Sequence, residues 1–183
     1  GYAADGEMAF MDVNADGIID GRDNQYIGNP YPTTIIGLNT SLKYKRFNFM
    51  MTWSSVQGNS IDNQMLFTAA TPTPIYNRSA EIYNYYPKPR ASNIHRRSDL
   101  FIEDGSYIRL RNIRLDYSLP LGDTKFIKSA NIYLSGNNII TITDYKGYDP
   151  EVNVFSGNSL QQGVDNGAYP GSKTVTLGLT VNF

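Results

Sequence analysis

The chain has 183 residues, a formal net charge of −1 and no cysteine. That charge balance excludes the basic field nucleic acid requires, and the missing thiols exclude disulfides, cysteine nucleophiles and cysteine-ligated zinc. Fourteen tyrosines, sixteen glycines and only 18% charged residues, with Asn, Thr and Ser between short apolar positions, predict a β-rich chain.

Residues 1–34 read as a loop, and the chain opens at Gly1 with no leader in view, which predicts further sequence upstream. Inside this loop, Asp12-Val13-Asn14-Ala15-Asp16-Gly17-Ile18-Ile19-Asp20-Gly21-Arg22-Asp23 has the D-x-N-x-D-G spacing of an EF-hand-like calcium loop. Calcium wants six to eight oxygens at about 2.4 Å, and the side chains of Asp12, Asn14 and Asp16 with the carbonyl of Ile18 would supply them. Asp20 would act directly or through water. Asp23 stands where the commoner loop has Glu and reaches less easily with both oxygens. The alternative is an acidic cluster of Asx turns without metal.

Strand signals follow. In residues 35–44 Ile36, Leu38, Thr40, Leu42 and Tyr44 share one parity. After a turn at Lys45-Arg46, residues 47–57 place Phe47, Phe49, Met51 and Trp53 on one face and Asn48, Thr52 and Ser54 on the other, so the two predict a hairpin. A long loop, 58–105, holds Tyr83, Tyr85, Tyr86 and Arg90, residues suited to sugar faces or a protein interface, or to ordinary loop packing. The only histidine, His95, has no nucleophile motif near it, and nothing points to an enzyme.

The third strand, 106–119, changes parity between Ile108-Leu110 and Ile113-Leu115-Tyr117, which calls for a bulge near Arg111-Asn112 or an exit from the membrane there. The fourth spans 130–143. The fifth, 173–183, alternates Val175, Leu177, Leu179, Val181 and Phe183 with polar residues. Connections alternate short and long, with 58–105 and 144–172 the long ones, as in an outer-membrane barrel with extracellular loops. No run of about 18 apolar residues is present, yet a strand of about 10 alternating residues is enough to span. A soluble β-sandwich alternates too, and a secreted calcium-dependent carbohydrate-binding β-domain stays open as the other reading.

Three stretches resemble the SusC/RagA family of TonB-linked outer-membrane proteins. They are the acidic loop with Tyr26-Ile27-Gly28-Asn29-Pro30-Tyr31-Pro32 leading into Gly37-Leu38-Asn39, the segment from Phe101-Ile102-Glu103-Asp104-Gly105-Ser106-Tyr107-Ile108-Arg109-Leu110-Arg111-Asn112 on to Leu115-Asp116-Tyr117-Ser118-Leu119-Pro120, and Asn137-Asn138 with Tyr145-Lys146-Gly147-Tyr148-Asp149-Pro150-Glu151. The resemblance implies an all-β fold, the last five strands of an antiparallel transmembrane barrel of about 22. It further implies a Bacteroidetes-type envelope protein in the outer membrane, where the short-long alternation of the connections puts the long loops outside and the C-terminus in the periplasm. The implied activity is TonB-dependent import of oligosaccharides or peptides, with a SusD-like lipoprotein as lid and TonB contact through a part not in this chain. Leu177, Gly178, Leu179, Val181 and Phe183 are similar to a barrel-assembly signal.

Overall fold

The computed structural model describes residues 9–70, 97–122, 126–152 and 162–183. Strand β1 (Thr34–Tyr44) turns through Lys45-Arg46 into β2 (Phe47–Gln57), with Lys45 at φ 52° in the left-handed region that so tight a reversal favours. The further elements are β3 (Ser60–Asn63), α1 (Gln64–Ala70), β4 (Ile102–Asp104), β5 (Tyr107–Ser118), β6 (Ser129–Thr143), β7 (Val164–Asp165) and β8 (Thr174–Asn182). The strands expected at 35–44, 47–57, 106–119, 130–143 and 173–183 are β1, β2, β5, β6 and β8, with ends moved by no more than one residue. Thr34, placed in the leading loop by sequence, opens β1 because it pairs with Gln57.

These five form one antiparallel sheet in the order β1-β2-β5-β6-β8. Directly opposed residues in an antiparallel sheet share a face, so the register defines rows across it. One face carries Ile36-Ser55-Ile108-Ile142, Leu38-Trp53-Leu110-Ile140, Thr40-Met51-Ile113-Gly136-Val175, Leu42-Phe49-Leu115-Leu134-Leu177 and Tyr44-Phe47-Tyr117-Ile132-Leu179. The opposite face carries Asn39-Thr52-Asn112-Asn137-Thr174, Ser41-Met50-Arg114-Ser135-Thr176 and Lys43-Asn48-Asp116-Tyr133-Gly178. One side is apolar, the other polar.

The parity change in β5 is resolved by a bulge. Thr52 pairs with Asn112 and Trp53 with Leu110, which leaves Arg111 without a partner on β2. The extra residue returns Ile113 to the face of Leu110 and keeps the apolar rows continuous. Exit from the membrane at that point is not needed to explain the pattern.

The long connections carry structure that periodicity did not reveal. Strands β4, β3 and β7 make a second, small sheet in that order, with β3–β7 parallel. It gathers the segments before β1, between β2 and β5, and between β6 and β8. The Ser60 amide donates to the Asn29 carbonyl (2.7 Å) and the Asp62 amide to the Gly163 carbonyl (2.8 Å). Asn63 caps α1 by accepting from the Leu66 amide at 2.8 Å. The cap has its own core. Ile61, Tyr145 and Val152 are buried together, and Phe101 lies edge-on to Phe67 at 5.0 Å. Asp165 is wholly buried, and its carboxylate accepts from the Tyr145 hydroxyl (2.6 Å) and the Gly167 amide (2.8 Å). Burial, with the Asp165 carboxylate second, pushes the Tyr145 phenol upward and keeps it a donor.

Candidate functional site

The apolar face of the large sheet is open. Leu38, Leu42, Leu134, Val175 and Leu177 are all more than half exposed, and Leu177 reaches 75%. The small sheet sits at the loop end and leaves these rows uncovered. From Tyr44 to Ile36 the band covers eight residue steps, about 26 Å along the strand or roughly 20 Å across a membrane at a tilt near 40°. Aromatic rings collect at its turn end, where Phe47 and Tyr117 lie 4.8 Å apart with Tyr44 in the same row. A water-soluble sheet hides such a face, whereas lipid requires it.

The polar face bears a charge cluster at the loop end. Tyr107, Arg109 and Arg111 project from β5 toward Asp149 and Glu151 of the connection that follows β6. Arg109, only 3% exposed, holds Asp149 at 2.5 Å and Glu151 at 2.7 Å. The bulge aims Arg111 at Glu151 (Nη1 to Oε2, 2.7 Å), while its Nε donates to the Ser54 hydroxyl at 2.7 Å. The Tyr107 hydroxyl donates to Glu151 at 2.5 Å. Asp149 also accepts from the Glu151 amide (2.9 Å) and the Gly171 amide (3.2 Å), so one carboxylate ties both ends of the 144–172 connection to β5. Burial opposes the charge on Asp149, but Arg109 and the two amides outweigh it and hold the carboxyl below its ordinary value. Partial desolvation opposes the charge on the more exposed Glu151 as well, but Arg111 and Tyr107 outweigh it and bring its pKa down.

Sequence marked Arg111 as the place of a parity break and both arginines as part of a family-like stretch, but gave neither a role in a charge cluster. The available signal was three polar residues at alternate positions, Tyr107, Arg109 and Arg111, separated by the apolar Ile108 and Leu110. Their acidic partners lie some forty positions on, where no local pattern reaches. Two of the three stretches that carry the family resemblance are the two halves of this clasp.

Farther along the polar face, Asn112 Nδ2 donates to Asn137 Oδ1 (2.8 Å) and Asn137 Nδ2 to the Thr174 hydroxyl (3.1 Å). The Arg114 guanidinium sits 3.9 Å over the Tyr133 ring and pairs with Asp116 at 2.7 Å. A Cβ built on Gly178 would fall against that same ring, so Tyr133 lies across the glycine.

The acidic loop folds on itself. Asp12 accepts from the Asp16 amide (3.2 Å) and the Gly17 amide (2.7 Å), and Asp23 from those of Val13 (2.9 Å) and Asp20 (2.7 Å). Arg22 pairs with Asp16 (3.0 Å) and Asp20 (2.8 Å). Arg22 lowers the Asp20 pKa, and the amide of Asp20, ahead of burial, lowers that of Asp23. Gly17, at φ 81°, makes the sharp turn the spacing calls for. Among the described residues no three acidic or imidazole side chains form a ready ligand set, because these carboxylates are spent on amides and on Arg22. An ion would have to displace Arg22. The loop also walls one side of a groove of about 800 Å³, with residues 97–100 on the other.

Of the other residues singled out by sequence, Leu177, Leu179 and Val181 face outward on β8, Gly178 faces inward, and Phe183 lies just past the strand end and is exposed. Tyr83, Tyr85, Tyr86, Arg90 and His95 lie outside the described residues.

No family model matches the chain. Whole receptors do. It is 32% identical over 194 residues to TonB-dependent receptor P26 of Formosa agariphila, which takes in 97% of this chain and 20% of that receptor. TonB-dependent receptor P3 of the same organism is 34% identical, at 97% and 19%. TonB-dependent receptor SusC of Bacteroides thetaiotaomicron is 30% identical over 188 residues, at 97% and 18%. The chain thus spans about a fifth of the length of the curated relatives it matches. In three dimensions it is similar to the RagAB peptide importer in its open-open state (TM-score 0.66, 22% identity, 83% of this chain and 17% of that one). The closed-closed state gives a TM-score of 0.68 at 21% identity, covering 92% and 20%.

Proposed function

The chain belongs to the SusC/RagA family of TonB-dependent receptors, and from that premise we propose that it supplies five adjacent wall strands and a folded loop cap to an outer-membrane nutrient importer. The family's named members are receptors and transporters, not enzymes. The observation that carries the proposal is the two-faced sheet: an uncovered apolar band backed by a polar face. Lipid solvates the first and the barrel lumen the second. The short Lys45-Arg46 turn then faces the periplasm and the cap faces outward, where a SusD-like lipoprotein would meet it. TonB would act through a part of the receptor beyond this chain. The cargo is an oligosaccharide or a peptide.

The test is fractionation of the full-length receptor. It should remain with outer membranes through salt and carbonate washes and leave only with detergent, and release by washing alone refutes the wall reading. The soluble carbohydrate-binding alternative needs a second sheet over Leu38, Leu42, Leu134 and Leu177, and the described residues provide none.

Calcium in the acidic loop is part of this proposal. It is supported by oxygen-bearing groups at every ligand position from Asp12 to Asp23 and by the turn at Gly17. Binding would free Arg22 from Asp16 and Asp20 and stiffen an exposed loop. Calorimetric titration of the detergent-solubilised receptor should give a calcium isotherm that D12N and D16N abolish. A flat trace for the unaltered receptor overturns it.

A further inference from the structure

Strand β8 returns to β6 through a long connection, so no tight turn sets its register. Its alternation forbids a slip of one residue, which would turn Leu177, Leu179 and Val181 to the polar face. A slip of two keeps Val175, Leu177, Leu179 and Val181 outward, and the hydrophobic pattern does not oppose it.

Two features do. The first is a slot: Tyr133 lies flat across Gly178, held from above by Arg114, which Asp116 fixes in turn. A two-residue slip brings Thr176 or Thr180 opposite Tyr133, and a branched side chain would fill the place of the ring. The second is at the loop end. Asp149, anchored on Arg109, accepts from the Gly171 amide three residues before β8, Asn138 reaches the Ser172 carbonyl at 3.5 Å, and Asn137 the Thr174 hydroxyl. We propose that the Tyr133–Gly178 slot and the Asp149–Gly171 clasp are register keys that seat β8 on β6. β8 is an edge of this sheet, so a two-residue error would move the edge offered to the next barrel strand by about 7 Å. Gly178 is therefore a specificity residue for strand alignment, distinct from the outward Leu177, Leu179 and Val181. The inference rests on the barrel reading.

The test uses the full-length receptor in outer membranes with paired cysteines. L134C/L177C reports the observed register, and L134C/L179C and L134C/V175C report the two offsets. With directly opposed positions within disulfide reach and diagonal ones beyond it, the first pair should cross-link about tenfold better than either offset. G178V should bring that ratio toward one or abolish assembly. Adding Y133A should restore the ratio, because the cavity left by the ring accepts valine. D149N should lower it severalfold. A ratio unchanged by G178V, or a double variant no better than G178V alone, overturns the slot, and a ratio unchanged by D149N overturns the clasp. If the receptor without these substitutions is absent from the membrane, the barrel reading has failed instead.

Discussion

Replacing Leu134 by arginine separates a lipid-facing wall from a water-facing one. Leu134 is half exposed, lies one row from the middle of the apolar band, and stands between Leu115 and Leu177. Arginine near the bilayer midplane of a barrel costs about 2–4 kcal/mol, falling to about 0–1 near the interfaces. On a water-exposed surface the same change falls within about 0.5 kcal/mol. T180R is the control, since Thr180 is exposed on β8 but shares the polar face with Asn131. I142R, at the loop end of the band, should give an intermediate value. The assay is the folded fraction of the full-length receptor in lipid vesicles, read from heat-modifiable gel migration across a urea series. L134R should shift the folding equilibrium by roughly 30- to 700-fold, while T180R changes it little. Equal effects of L134R and T180R would refute a lipid-facing band.

The clasp gives two further expectations. R109M leaves Asp149 buried without its cation and should destabilise the cap by about 3–5 kcal/mol, visible as faster proteolysis within residues 144–172. Unaltered cleavage rates would contradict the clasp. The pH dependence follows from the lowered pKa values of Asp149 and Glu151. Groups depressed in the folded state stabilise it fully above their unfolded values near 4 and lose that contribution as pH falls through the folded ones. Hydrogen exchange of the amides at 145–152 should therefore stay level from about pH 5 to 8, relative to the intrinsic rate, and lose protection only in stronger acid. Loss of protection already near pH 6 would show that other groups hold the loop.

The sheet was legible because its strands obey a period of two over ten or so residues, long enough for alternation to exceed chance. The parity break near Arg111 was visible too, but sequence left a bulge and an exit from the membrane equally open, and only the pairing register decides for the bulge. The cap was not legible. β3, β4 and β7 are two to four residues long, and what holds them together is Asp62 against Gly163, Glu103 against the Lys146 amide, and Tyr145 against Asp165. Such pairings are distant in sequence and leave no period. The acidic loop shows a different limit. The spacing Asp12, Asn14, Asp16, Asp20, Asp23 suits an ion and equally suits carboxylates that accept from their own backbone, and only geometry reveals that Arg22 already bridges two of them.

The two sheets ask for opposite surroundings, and this fixes where the boundary between them lies. The cap built around the small sheet buries Ile61, Phe101 and Tyr145 and satisfies Asp165 from Tyr145, so it is stable against water. The large sheet leaves Leu177, Val175 and Leu38 open, and each such side chain forgoes about 1.5–3 kcal/mol if left in water. Among the described residues its edges at β1 and β8 are paired on one side only, which hydrocarbon does not tolerate and a neighbouring strand corrects. An apolar medium around the band, further strands at both edges and water above the row of Ile36 and Ile142 satisfy all three demands together. The Arg109 clasp sits at that level on the polar face, where it ties the cap to the wall without placing a charge in the apolar band.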